Sequence, residues 1–343
     1  MTLYEELHKA EFFNRTFDFM FFSVIQEPEI VFDYMTLDKT SIVIPGIADI
    51  SRGWYCHITQ GARVVFQGIV SGVDTGKSVT TVQLSPMIAL FDFEFYRDRK
   101  TYNNNKTDAE SFLRSAILDT FAGDDTVQNI PGLNVTAATH TDGVDFNLKD
   151  NVHAFWDLAR KAIKSHTIAI NCDFDPMAKN VTAVIANYSA ESEITIDSDL
   201  PDISDRKFSL RDNYGSVNKA IIYNAKNSAQ SKTFYASDYA APVIQRVAEV
   251  TVEDGGNFES AAREKAAELL RKSDADDLIE LTFRQDDRII PDMRIGQPVR
   301  ILRQNTAYHT VLTGYTVKGG TKMLVFGGIR VDLTKILKLK GAI

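Results

Sequence analysis

The chain has 343 residues, 44% of them hydrophobic and 24% charged, with a net charge of −8 at pH 7. This is the make-up of a soluble globular protein of two to four domains and excludes a disordered chain. The acidic balance argues against a protein that grips nucleic acid, but not against a surface that nucleic acid slides past without sticking. No apolar run approaches the roughly 20 residues needed to span a bilayer. The acidic start, MTLYEELHKAEFF, lacks the positive charge of a secretory signal, so synthesis and assembly in a cytoplasm are expected.

Taken in chain order, residues 1–95 read as mostly β. Short β-branched or aromatic runs at 23–25, 30–32 and 41–44 are punctuated by Pro28, Pro45-Gly46 and Gly76-Lys77. The first dozen residues fit a short helix as an alternative, with Leu3, Leu7 and Ala10 on one face. The polar tract 102–106 precedes Thr107-Asp108-Ala109-Glu110, a capping-box pattern. Leu113, Ala116, Ile117 and Phe121 then form a helical stripe that Gly123 ends. A second helix is predicted from Asp150 or Asn151, with Val152, Phe155, Trp156, Ala159 and Ile163 on its apolar face. Strands are predicted at 167–172 and 181–188, on either side of Asp175-Pro176. Residues 189–205 read as an acidic linker with one strand at 194–196. Further strands are predicted at 220–223 and 278–283, and a third helix from Asn257 to about Lys272. The end carries Leu333, Ile336, Leu337 and Leu339 among lysines, a short helix or a last strand.

Two stretches read as the same piece of structure, residues 53–84 and 296–326. Each begins at a glycine, Gly53 or Gly296, and runs into a strand and a polar turn. A strand with an aromatic follows (Phe66, Tyr308), then Ser71-Gly72 or Thr313-Gly314, a glycine-containing turn and another apolar strand. The two Ser/Thr-Gly pairs lie 242 residues apart. One β module carried twice implies internal pseudo-symmetry. Two copies are too few for a solenoid or propeller.

Chemistry-bearing patterns are sparse. Gly72 to Ser78 approaches a phosphate-binding loop but is one residue short and is followed by strand sequence, so a hairpin turn is the expectation. His8, His57, His140, His153, His166 and His309 lack zinc-ligand spacing. The acid pairs Asp124-Asp125, Asp276-Asp277 and Asp286-Asp287 sit in polar turns. The Asp173 to Pro176 loop lacks the ligand density of a calcium loop. Cys56 and Cys172 read as free thiols in apolar strands. No nucleophile elbow is present. No catalytic, cofactor-binding or metal residue is assigned and no cofactor is expected; the chain reads as structural rather than enzymatic.

The layout resembles the baseplate-hub proteins of tailed bacteriophages, in particular the hub part of tail-associated (Tal-type) proteins from phages and prophages of Gram-positive bacteria. The resemblance is carried by residues 83–86 with 91–95, by 213–224, and by 278–283, 295–301 and 312–315. It implies a mainly β α+β fold, with two pseudo-equivalent antiparallel β-barrel domains and two smaller inserted α/β-containing domains. The implied division is a first tube-type barrel at 1–95, a peripheral α+β domain at 96–190, a discontinuous second barrel at 191–236 and 278–343, and a helical insertion at 237–277. It further implies a virion structural protein at the tail tip, assembled in the host cytoplasm without membrane insertion. Three copies would form a homotrimeric ring of six barrels that continues the tail tube. The implied partners are the chain itself, the distal tail protein and tail tube, the tape-measure protein, DNA in transient passage, and a separate fibre or lytic protein. A tail-tip cell-wall hydrolase or peptidase is the main rival. A receptor- or carbohydrate-binding module is the second, with Trp54 and Tyr55 as its candidate aromatics.

Overall fold

The computed structural model describes residues 7–96, 108–123, 128–141, 146, 152–209, 217–227, 229–236, 247–252, 258–270, 277–284 and 293–329. The first seven strands are β1 (His8–Phe13), β2 (Phe19–Ile25), β3 (Ile30–Asp33), β4 (Thr40–Pro45), β5 (Tyr55–Gln60), β6 (Arg63–Thr75) and β7 (Val79–Pro86). Six of them form one antiparallel sheet in the order β2-β1-β5-β6-β7-β4. β2 also lies against β4, so the sheet curls into a half-barrel. The period-2 pattern explains its inside: in β4, Thr40, Ile42 and Ile44 are buried while Ser41, Val43 and Pro45 are exposed. Ala10, Phe12, Ile58, Phe66, Val82 and Leu84 fill the interior. Full burial of each large side chain contributes roughly 1.5–3 kcal/mol. The early helix alternative fails: residues 8–13 pair with both β2 and β5.

A short 3-10 turn (Met87–Phe91) leads into a mixed unit. Its elements are β8 (Glu94–Tyr96), α1 (Ala109–Phe121), β9 (Leu133–Ala137), β10 (Val152–Ala154), α2 (Phe155–His166), β11 (Ile168–Asp175) and β12 (Asn180–Asn187). Its sheet runs β11-β12-β9, with β9 parallel to β12. The capping box is not what starts α1. Asp108 caps the helix by accepting from the Ser111 amide at 2.8 Å, and Thr107 lies outside the described residues. Glu110 is fully buried and turns away from the cap, accepting from the hydroxyls of Thr139 and Thr141 at 2.7 and 2.8 Å and from the Thr141 amide at 3.0 Å. The second helix starts later than its apolar stripe suggests, because Val152–Ala154 pair with β8 as a strand.

The remaining chain forms β13 (Ile194–Asp197), β14 (Ile203–Ser209), β15 (Lys219–Asn224), β16 (Ser231–Tyr235), β17 (Val247–Val252), α3 (Phe258–Leu270), β18 (Leu278–Arg284), β19 (Pro298–Arg303), β20 (Thr306–Lys318) and β21 (Thr321–Gly327). A second curled sheet runs β13-β19-β20-β21-β18-β14, and β3 pairs with β20. One of its pairings, β13 to β19, is parallel. The segment 219–235, assigned from sequence to the second barrel, instead joins β17 in a separate sheet, β16-β15-β17. Ala220 and Ile222 there are buried against Phe258, Ala262 and Ala266 of α3. The insertion between β14 and β18 is therefore an α/β unit rather than a helix alone. The fold is α+β and mainly β, built on two curled half-barrel sheets. The last residues, 330–343, for which a helix or strand is expected, lie outside the described residues.

Candidate assembly surface

The two repeat copies coincide as β5-β6-β7 and β19-β20-β21, each a three-stranded meander. Gly53 and Gly296 both take left-handed backbone, with φ of +82° and +86°. A side chain would be strained in that conformation. Their amides donate to the carbonyls of Val70 and Leu312, both at 2.8 Å, and the return bonds run from Val70 N to Trp54 O at 2.8 Å and from Leu312 N to Gln297 O at 3.1 Å. The pairing register then slips at the same place in both copies, between Val70 and Gly72 and between Leu312 and Gly314. Ser71 and Thr313 are the extra residues of these bulges. Their hydroxyls donate to Gln83 O and Val325 O, each at 3.2 Å, and Thr313 also donates to Gly327 O at 2.8 Å. Beyond the bulge Thr75 pairs with Thr80, and the Gly76 amide donates to Val79 O at 2.8 Å. The stretch 72–78 is thus the tip of a hairpin, as its strand-like continuation implies, and opens no helix.

The equivalence extends to β4, which pairs with β7 as β18 pairs with β21. It does not cover the whole sheet: β1 is antiparallel to β5 where β13 is parallel to β19, and β2 pairs with β1 where β14 pairs with β18. The modules also differ at one border. After the bulge, β20 leaves β19 and its freed edge is covered by β3, with Asp33, Phe32, Val31 and Ile30 opposite Gly314, Tyr315, Thr316 and Val317. Tyr34 N donates to Thr313 O at 3.0 Å. A Cβ on Gly314 would lie 2.5 Å from Phe32 O, so only glycine admits this approach. Phe32 stacks on Tyr315 at 5.4 Å, and Val317 is 5% exposed within the first module's core. At the tip, Lys318 Nζ lies 2.6 Å from Glu29, and Glu27 accepts from the Gly320 amide at 2.7 Å.

The matching edge of β6 carries no such strand among the described residues. Asp74, Thr75 and Lys77 are exposed. Among the described residues an added Cβ on Gly72 would meet only Gln83, at 3.4 Å. Nearby, the outer face of the first sheet carries an apolar band. Phe19, Met20, Phe22 and Val24 on the edge strand β2 and Val43 on β4 are each about half exposed. An exposed apolar band on an edge strand is a contact surface or an aggregation liability.

The units are tied together by side-chain to backbone bonds. Gln67 on β6 clamps Phe174, donating to its carbonyl at 2.8 Å and accepting from its amide at 3.1 Å. Asn171 does the same for Ile295, at 3.2 and 3.1 Å. The Ile170 amide donates to the Tyr34 hydroxyl at 3.1 Å, and burial pushes that phenol up. A cavity of about 510 Å³ lies at this junction, lined by Phe66, Ile88, Asn171, Asp173, Arg294 and Tyr315 among others.

The candidate chemical residues are scattered. His8 is buried, its Nε2 has no hydrogen-bond partner among the described residues, and burial holds its pKa below the usual value. His57 is shifted the same way by burial. His140 pairs with Asp108 at 2.6 Å and His309 with Glu193 at 2.7 Å. Cys56 is buried, Cys172 half-buried, and desolvation pushes both thiols up, so neither is a ready nucleophile. Asp175 caps its own turn, accepting from the amides of Met177 and Ala178. Asp124, Asp125, Asp276, Asp286 and Asp287 lie outside the described residues. Among the described residues no group of three His, Cys, Asp or Glu side chains is placed to hold a metal. Tyr55, 3% exposed, stacks between Phe17 and Phe174, so it packs the interior rather than a loop tip.

No family model and no curated protein matches the chain. Solved structures do. A tail protein from Neisseria meningitidis MC58 superposes with a TM-score of 0.60 at 13% identity, over 93% of this chain and 96% of that one. The 43 kDa tail protein of prophage MuSo2 from Shewanella oneidensis gives 0.59 at 14%, over 94% and 98%. A chain of the phage P2 baseplate in its activated conformation gives 0.51 at 13%, over 95% and 100%. The chain shares the fold of phage tail and baseplate proteins across nearly its whole length. No helix among the described residues is long and apolar enough to cross a membrane.

Proposed function

We propose that this chain is a structural protein of a phage or prophage tail tip, the hub of a baseplate. Three copies would set six modules in a ring that continues the tail tube, and tape measure and DNA would pass through it. The observation that carries this reading is the duplicated module. The same glycine turn recurs 243 residues on and the same bulge 242 residues on, in a fold shared over more than nine-tenths of the chain with tail and baseplate proteins. Two modules in each of three chains reconcile a sixfold tube with a threefold tip.

The partners follow from that position: other copies of the chain, the distal tail protein and tube on one side, and a separate fibre or lytic protein on the other. The role is structural rather than catalytic. Three copies of a −8 chain carry −24 in total, and acidic side chains facing the lumen would keep phosphates from sticking. The Gram-positive host belongs to the proposal alone; this fold also occurs in tail proteins from Neisseria meningitidis and Shewanella oneidensis. Cryo-electron microscopy of tails from the encoding phage or prophage tests the reading. Density for six β modules of this chain around an acidic channel at the tip is expected. Tails that finish normally without the protein, or a strongly basic channel, would overturn it.

A further inference from the structure

The two modules differ at the distal edge of β6, which carries no paired strand among the described residues. In the second module the matching edge of β20 is completed by β3, a segment lying between the second and third strands of the first module. The Tyr34–Thr313 bond sets the phase of that pairing, and by the two-residue period Tyr315 and Val317 also turn their backbone groups toward β3. Their counterparts 242 residues earlier are Val73 and Thr75, so those two present amide and carbonyl groups at an open edge. Thr75 is exposed where Val317 is buried. Gly72 keeps the side-chain-free approach that Gly314 needs against the Phe32 backbone. Lys77 projects from the hairpin tip without an ion pair among the described residues, next to the position whose counterpart, Lys318, holds Glu29.

We infer that the Ser71–Thr75 edge of β6 is an intersubunit joint, which an extended segment of a second copy of this chain completes as an added antiparallel strand. A second copy fits because the covering step is made once within the chain, from first module to second, and leaves the first module's own edge to a neighbour. The first module covers the second through β3. In the second module the place of β3, between β14 and β18, is taken by the insertion carrying β15 to β17 and α3, with β16 and β17 at its sheet edges. Handing a strand from each second module to the next first module makes a head-to-tail contact, which closes into a ring when its rotation permits. Backbone pairing at an open edge is a recurring way to join chains. The inference deepens the tail-hub reading and rests on it only for the number of copies.

The test uses the full chain at natural isotope abundance mixed with ¹⁵N-labelled chain, with carbodiimide coupling of lysines to carboxylates and mass determined by light scattering. The expected result is Lys77 joined to an acidic residue of the insertion in a differently labelled copy, in a sample heavier than a monomer. Thr75→Pro removes an outward amide while leaving the β7 ladder paired, and should weaken association at least tenfold. Gly72→Val places a side chain where the added backbone would lie and should do the same, which covers the case that the proline variant does not fold. Coupling of Lys77 only within its own chain, a wild type that stays monomeric at high concentration, or folded variants that associate like wild type would each overturn the inference. Tails that contain the protein at their tip despite such a result would leave the tail reading intact, so the two failures are distinguishable.

Discussion

The distal halves of β6 and β20 are built to the same plan and end in different surroundings. Both follow a bulge set by a hydroxyl residue, and both run to a hairpin tip against a fully paired neighbour, β7 or β21. β20 is covered by β3 and its Val317 is part of a core; β6 has no covering strand among the described residues and its Thr75 is exposed. Pseudo-symmetry in this chain is therefore closest in the strands β4 to β7 and β18 to β21; it breaks at β13, which runs parallel to β19 where β1 is antiparallel to β5, and at the border, where the second module exchanges a short strand for a folded insertion. The difference teaches that strand order is set by the module, whereas edge coverage is set by what is inserted between its second and third strands.

The sharpest way to break the comparison is at the two glycines. Gly314→Val drives a Cβ into Phe32 O, a backbone atom with no freedom to retreat. The protein should lose about 3 kcal/mol, or fail to fold. Gly72→Val meets only ordinary contact with Gln83 and should stay within about 0.5 kcal/mol of wild type in denaturant unfolding at a dilution where the chain is monomeric. Equal losses in the two variants at that dilution would mean that β6 is covered within its own chain.

The bulge hydroxyls come next. Thr313 is 3% exposed and shared between two carbonyls, so Thr313→Ala leaves both Val325 O and Gly327 O short of a donor. A loss of about 1–2 kcal/mol is expected by thermal unfolding. Ser71 is half-buried and makes one bond at 3.2 Å, so Ser71→Ala should cost about 0.5 kcal/mol or less. If Ser71→Ala proved the more damaging, the two bulges would not be energetic equivalents.

How much of this was legible in the sequence depends on whether a signal is local. The repeat was legible because its markers are backbone requirements: left-handed glycines at 53 and 296 and a bulge before Gly72 and Gly314 leave fixed residues at fixed spacing. Strands with clean alternation, such as β4 and β18, were legible for the same reason. β14, with sequence ISDRKFS, was hidden because four successive residues are exposed and only its ends carry apolar groups. β16 and β17 were hidden because they are edge strands of a small sheet with one face toward α3. The late start of α2 was invisible because Val152 fits a helical stripe and a strand equally well, and only its pairing with β8 decides. The β3–β20 joint could not be read at all. Ile30–Asp33 is an ordinary strand sequence, and its partner lies some 280 residues away in the chain. The candidate surface is legible only as an absence at β6, which appears once β20 shows what should be there.

A pH comparison separates the modules by a smaller effect. His8 opens β1, whereas β13, which lies beside β19 in the opposite sense, carries no histidine. Burial depresses the His8 pKa in the folded state, so the unfolded chain binds the extra proton first. The neutral side chain's contribution is then fully present above the unfolded value near 6.5, and it is lost as pH falls toward the folded value. His57, also in the first sheet, acts in the same direction. Lowering the pH from 7 to 5 should reduce the unfolding midpoint, and hydrogen exchange should speed up in the first sheet before the second. His8→Leu should flatten the dependence; an unchanged slope would remove His8 from this account.

The smallest effect is expected at the hairpin tips. Lys318 and Glu29 lie 2.6 Å apart but are each more than half exposed, so solvent and salt screen the pair and ordering two long side chains offsets part of the attraction. A double-mutant cycle with Lys318→Ala and Glu29→Ala should give a coupling under roughly 1 kcal/mol, shrinking further as salt is raised. The adjoining bond from the Gly320 amide to Glu27 should matter more, because it satisfies a backbone donor at the joint. Glu27→Ala should therefore destabilise more than Glu29→Ala, although both remove one acid from the same loop. That order separates two accounts of the joint. If backbone satisfaction leads, the β3 strand holds the modules together and the lysine only trims the register. If the ion pair leads, the modules are held by charge, and Lys77 at the bare tip would matter more to assembly than the open amides of β6.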